Sequence, residues 1–144
     1  MTARLYDKLK TIKPDEAKAK AYVDAFAYED WKTQLRELLG SSAETVIAVE
    51  EREHKYDKST HPARFGRICE HWDDILRIVD EEMPTAAEIE QIFETIGLSK
   101  ELSSLNVTEE LARQTFFATK DIRDKYILSR LAWDLGIIEE IWDM

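Results

Sequence analysis

The sequence predicts an all-α fold, a bundle of about six to eight helices, on three observations. Apolar residues recur at spacings of three and four from end to end. No stretch alternates apolar and polar residues with the period of two that a half-buried strand requires. Gly40, Gly97 and Gly136 each stand where an apolar stripe stops, as residues able to close a helix in the left-handed conformation do.

Leu5, Leu9 and Ile12 share one face of a short first helix. Pro14, Asp15 and Glu16 open a second, because proline has no amide to leave unpaired there and carboxylates meet the positive end of the helix dipole. That helix is expected to run to about Tyr28. Trp31, Leu35 and Leu38 continue the spacing to Gly40, and Ser41 with Glu44 has the form of a capping box before Val46 and Ile47 turn inward. Residues 56–62 are polar and turn-rich. Phe65, Ile68, Cys69, Trp72, Ile75, Leu76 and Val79 then read as one long helix reaching Met83, with Gly66 in its first turns and no capping role. Pro84 closes it, and Thr85 with Glu88 forms a second capping box before Ile89, Ile92, Phe93 and Ile96. Residues 98–107 read as a loop or short turn. Thr108, Glu109 and Glu110 open a helix through Leu111, Thr115, Ala118 and Ile122, and a last one carries Ile127, Leu128, Leu131, Ala132 and Leu135. Ile137, Ile138, Ile141 and Trp142 are too apolar to stay in water and are expected to dock.

The 144 residues suit a single helical domain, 1–144, which at this size buries roughly 70% of the surface of its unfolded chain. The formal net charge of -10 repels phosphate backbones and anionic lipids, so neither nucleic acid nor a membrane is an expected partner. Cys69 is the only cysteine and has none to pair with, which together with the lack of a signal-like N-terminus points to the cytoplasm.

Each candidate for chemistry has a plainer reading. Glu50 and His54 are four apart and could share a helical face, yet residues 50–55 read more simply as a solvated charged run. His71, between Glu70 and Trp72 and before Asp73 and Asp74, is expected at the surface. A metal site of Glu50, His54 and His71 ranks last among the functional readings. Cys69 lies on an apolar stripe and is expected to be buried and structural. Asp80, Glu81 and Glu82 lack the Glu-x-x-His pairs of a di-metal bundle, and no glycine-rich phosphate cradle occurs. Trp31, Trp72, Trp133 and Trp142 fit a core, with a contact surface at Trp133 and Trp142 as the other reading. No catalytic, cofactor-binding or metal-binding residue is assigned.

The run Ile122-Arg123-Asp124-Lys125-Tyr126-Ile127-Leu128-Ser129-Arg130-Leu131-Ala132-Trp133-Asp134-Leu135-Gly136-Ile137-Ile138-Glu139-Glu140 resembles the C-terminal end of bacterial sn-glycerol-1-phosphate dehydrogenases. The opening Leu5-Tyr6-Asp7-Lys8-Leu9 followed by Pro14, the stretch Ile68-Cys69-Glu70-His71-Trp72-Asp73-Asp74-Ile75 and the turn Met83-Pro84-Thr85-Ala86-Ala87-Glu88-Ile89 resemble the same helical half in the same order. The family belongs with iron-containing alcohol dehydrogenases, glycerol dehydrogenases and dehydroquinate synthases. The resemblance implies a helical bundle like the C-terminal half of those proteins, partnered by an α/β half that binds NAD(P). It also implies a divalent metal held by one aspartate and two histidines, which polarises the substrate oxygen. By the same likeness those ligands and the nucleotide-binding half would precede Met1, and His54, His61 and His71 match none of them. The chain is therefore expected to be the helical portion of such an oxidoreductase, inactive alone, with the missing α/β half, another protein or a second copy of itself as partner. The other reading is a stand-alone helical protein-interaction module.

Overall fold

The computed structural model describes residues 2–99, 101–122 and 124–143; Met1, Lys100, Arg123, Met144 and the side chain of Thr2 lie outside the described residues. Asp15 shows how local chemistry sets the elements. Its carboxylate accepts the amide of Lys18 and so caps the second helix. Helices α1 (Thr2–Leu9), α2 (Glu16–Ala25), α3 (Tyr28–Leu39), α4 (Ala43–Glu53), α5 (His61–Glu70), α6 (Trp72–Glu82), α7 (Ala86–Thr95) and α8 (Glu109–Ala118) follow one another, joined in two places by 3-10 turns, Gly40–Ser42 and Leu102–Leu105. Two shorter helices, α9 (Leu128–Asp134) and α10 (Ile138–Trp142), close the chain. No strand occurs among the described residues, and the fold is the expected all-α bundle.

The core forms where α9 is enclosed. Helix α1 lies against α7, α9 and α10, helix α2 against α5 and α9, and α3 against α4 and α8. Every residue from Ser129 to Leu135 is buried, which agrees with a helix carrying apolar residues on all sides. The apolar tail docks as expected, with Ile138 and Ile141 fully buried. Gly136 makes this possible. It has φ 69°, and a Cβ placed there would lie 3.0 Å from Tyr22 Cβ and 3.2 Å from the Lys18 carbonyl oxygen. Only a residue without a side chain lets the end of α9 close onto α2.

Five local expectations need correction. The second helix ends at Ala25 and not near Tyr28, because Phe26 takes an extended conformation that stacks its ring on Tyr56 at 4.2 Å and sets it edge-on to Trp133. The Ser41–Glu44 box does not form; a 3-10 turn leads from α3 into α4, and Glu44 instead pairs with Arg36 Nε at 2.7 Å. The long helix breaks at His71 (φ -108°, ψ 17°), so α5 and α6 are separate, although the His71 amide still reaches the Arg67 carbonyl. Cys69 is exposed. Phe65, Ile68 and Trp72 take the inward face, and one residue past Ile68 is about 100° further round the helix. Lastly, α8 stops at Ala118, leaving Ile122 half exposed beyond it.

The Thr85–Glu88 capping box forms with both reciprocal bonds, and Thr108 caps α8 through the Leu111 amide. Yet α7 contains no buried residue. Ile92 and Ile96, which follow that box, are 50% and 61% exposed. No helix of the described residues is long and apolar enough to cross a membrane.

Candidate functional site

The turn after α8 carries Lys120 and Asp121 into the interior, where burial of charge demands partners. Asp121 receives three donors: Trp31 Nε1 at 2.9 Å, the Tyr56 hydroxyl at 2.5 Å and Lys120 Nζ at 2.7 Å. Lys120 also donates to the Phe117 carbonyl at 2.9 Å. Burial pulls the lysine below its ordinary pKa, while the Asp121 carboxylate pulls it back up. Burial, with Asp121 adding to it, holds the Tyr56 hydroxyl well above the ordinary phenol range.

A second buried carboxylate lies one helix away. Asp134 is fully buried and accepts Arg64 Nε and Nη2, each at 2.9 Å, in a two-pronged pair, as well as the Tyr126 hydroxyl at 2.6 Å. Its backbone carbonyl accepts His61 Nε2 at 2.9 Å, which places that imidazole proton on Nε2. Arg130 lies one turn before Asp134 on α9. Its guanidinium stacks on Tyr56 at 4.3 Å and on Trp133 at 4.2 Å, donates from Nη2 to the Lys55 carbonyl, and sets Nε 4.0 Å from Asp134. Arg130 Nη1 has no hydrogen-bond partner. Glu50 completes the set, accepting the Tyr56 amide at 2.9 Å and the Tyr28 hydroxyl at 2.5 Å.

Above this floor, α2, α3 and α8 leave a cleft of about 580 Å³, within the range of small-molecule sites. Tyr22, Phe26, Trp31, Phe117 and Trp133 form its walls, and Arg113 lies across the Phe117 ring at 4.6 Å. The polar groups at its floor are committed to one another. Asp121 accepts three hydrogen bonds and Lys120 donates two, one of them to Asp121 itself. Their evident work is to tie the turn after α8 to α3 and to Tyr56, between α4 and α5.

The residues singled out in the sequence are placed apart. Glu50 is buried, a correction to the solvated run, whereas His54 is exposed in the left-handed conformation that ends α4. His71 is at the surface as expected, 3.7 Å from Asp74. No joint site of Glu50, His54 and His71 exists, and no group of three or more His, Cys, Asp or Glu among the described residues is arranged to hold a metal. What little burial Cys69 has, with Glu16 and Glu70 nearby, raises its thiol pKa, the opposite of what a nucleophile needs. Asp80 and Glu81 are surface partners of Lys10 and Arg77. Trp31, Trp72 and Trp133 are core residues, and Trp142 packs beside Phe116.

Comparison with protein-family models, with curated proteins and with solved structures finds no match to this chain. His54, His61 and His71 are gathered in no metal-holding group among the described residues, and Gly40, Gly97 and Gly136 each have a positive φ.

The polar groups that matter most, Asp121, Lys120, Arg130, Asp134 and His61, were not singled out from the sequence as a site. A signal was present at two of them. Arg130 and Asp134 are four apart inside a run that is otherwise apolar on every side, so their charges had no solvated face to occupy.

Proposed function

We propose that the chain is the C-terminal helical portion of an sn-glycerol-1-phosphate dehydrogenase-like oxidoreductase, which interconverts dihydroxyacetone phosphate and sn-glycerol 1-phosphate. The reading rests on the four resembling segments, and one observation supports it beyond their order in the chain. The fold brings them together: α1 packs on both α7 and α9, and α2 bridges α5 and α9. Residues 128–138, within the longest of those segments, supply the most enclosed helix.

In this proposal an α/β half supplies NAD(P) and the divalent metal, whose chemistry is hydride transfer to a metal-polarised carbonyl. The present chain contributes one wall of the cleft between the halves. Its own polar groups, tied up in the Asp121 and Asp134 clusters, hold that wall rigid and exclude water from it. The test is complementation. The purified chain with NAD(P)H, dihydroxyacetone phosphate and a divalent metal is expected to give no turnover, and addition of the α/β half of such a dehydrogenase as a separate chain is expected to restore it. Turnover by the 144 residues alone contradicts the inactive-alone part. A folded α/β half that binds nucleotide yet neither associates with this chain nor turns over contradicts the whole.

A second reading, a helical protein-interaction module without enzymatic activity, is favoured by the exposed large aliphatic side chains between Ile92 and Leu111.

A further inference from the structure

The cleft between α2, α3 and α8 has a neutral floor, aromatic walls and an acidic rim. At the floor the charges of Lys120 and Asp121 offset each other across 2.7 Å. Tyr22, Phe26 and Phe117 line the walls and are only partly buried, with Trp31 and Trp133 packed behind them. Arg113 lies over the Phe117 ring at 4.6 Å, so an aromatic face of this cleft already receives a cation.

The rim is formed by Asp30 from the first turn of α3, Glu110 from the first turn of α8 and Glu139 from α10, all exposed. Glu110 accepts Gln114 Nε2 at 2.9 Å, and Glu139 faces the Tyr22 hydroxyl, whose pKa is raised by burial and then by that carboxylate. Both neighbours are neutral, so the two glutamates keep their charge. Asp30 has no hydrogen bond or ion pair with any described residue. Above the floor, three carboxylates therefore stand against one guanidinium, that of Arg113.

We propose that this cleft is a binding site for a small organic cation with an aromatic body. The ring would lie among Tyr22, Phe26 and Phe117, and the cationic head would meet Asp30, Glu110 and Glu139. The volume of about 580 Å³ suits a ligand of that size. An anion meets repulsion at the rim, and an uncharged ring gains nothing from it. The chain's net charge of -10 adds a long-range attraction for the cation. The site is made by this chain alone, so it depends on neither functional reading, and complementation by an α/β half reports on something else.

The probes are benzyltrimethylammonium, benzyl alcohol and benzoate, which share a ring and differ in charge. Each is titrated at low salt into the isotope-labelled chain while amide and indole resonances are followed. The cation is expected to bind saturably, with shifts confined to the cleft residues of α2, α3 and α8 and the Trp31 indole. Benzyl alcohol and benzoate are expected to bind at least about tenfold more weakly. Asp30→Asn should weaken the cation by about threefold, whereas Arg113→Gln, which removes a competing positive charge, should tighten it by about threefold. The sign at Arg113 is decisive. Were the guanidinium there to receive a carboxylate, benzoate would bind best and Arg113→Gln would abolish its binding, and that result would overturn the proposal. So would equal binding of the three probes, shifts outside the cleft, or no binding of the cation below about 10 mM. Should either variant fail to fold, the three probes compared on the unaltered chain still decide.

Discussion

Residues 128–138 and residues 92–111 are both rich in large aliphatic side chains, yet the first run is the most enclosed part of the molecule and the second among its most exposed. The difference lies in what surrounds the apolar residues. The first run carries Arg130 and Asp134, whose partners come from α5, from the turn before it and from Tyr126, and these bonds draw neighbouring elements over α9. In the second run the Ser99 and Ser104 hydroxyls bond to the backbone of Glu101, two and three positions away. Apolar content supplies the tendency to be covered, and long-range polar ties decide which run the chain's own helices cover.

Substitutions should separate the two regions. Asp134→Ala removes the shared partner of Arg64, Arg130 and Tyr126 and leaves buried cationic groups uncompensated. It should cost about 3–5 kcal/mol in chemical denaturation. A loss below about 1 kcal/mol would show that the cluster does not organise the core. Gly136→Ala comes next, because a left-handed φ and a Cβ 3.0 Å from Tyr22 combine there; a loss of about 2–4 kcal/mol is expected in the same measurement. In the exposed region Thr85→Ala should cost about 1 kcal/mol by removing the α7 cap, with the loss of helical signal confined to that helix. Ile96→Ser should change stability by no more than about 0.5 kcal/mol.

Acid acts in part through ion pairs at the surface. Asp80, Glu44 and Glu140 have pKa values lowered by hydrogen bonds to Lys10, Arg36 and Lys18 respectively. A carboxylate with a lowered folded pKa adds stability that is complete above its unfolded value and is lost as pH falls through the folded one. Stability is therefore expected to be flat from pH 7 to about 5 and to fall below about 4, as thermal unfolding across that range would show. High pH acts through a tyrosine. Tyr56 is held protonated in the fold above the ordinary phenol value, chiefly by burial, so stability should decline as pH rises past about 10.

Much of the fold was legible before any coordinates. The caps at Thr85 and Thr108 and the stops at Gly40, Gly97 and Gly136 depend on bonds within a few residues, which is why sequence spacing reveals them, whereas Pro14, read as opening its helix, lies before the cap that Asp15 forms. Two of the misread features depend on distant residues. Phe26 leaves its helix to meet Tyr56 and Trp133, and Glu50 leaves solvent for two tyrosines. Cys69 was assigned to the core by its apolar neighbours, whereas Phe65, Ile68 and Trp72 already fill the inward face. The cleft and its floor stayed hidden for the same reason, since Asp121 gathers Trp31 and Tyr56 from 90 and 65 positions away.

Native-state hydrogen exchange, read residue by residue on the chain alone, tests the contrast between the two regions most directly. The account predicts that the amides of Leu131, Trp133 and Leu135 exchange only through global unfolding, while those of Ile92 and Ile96 exchange through local openings of much lower free energy. Equal protection in α7 and α9 would contradict it, because the exposed region would then belong to the same cooperative core.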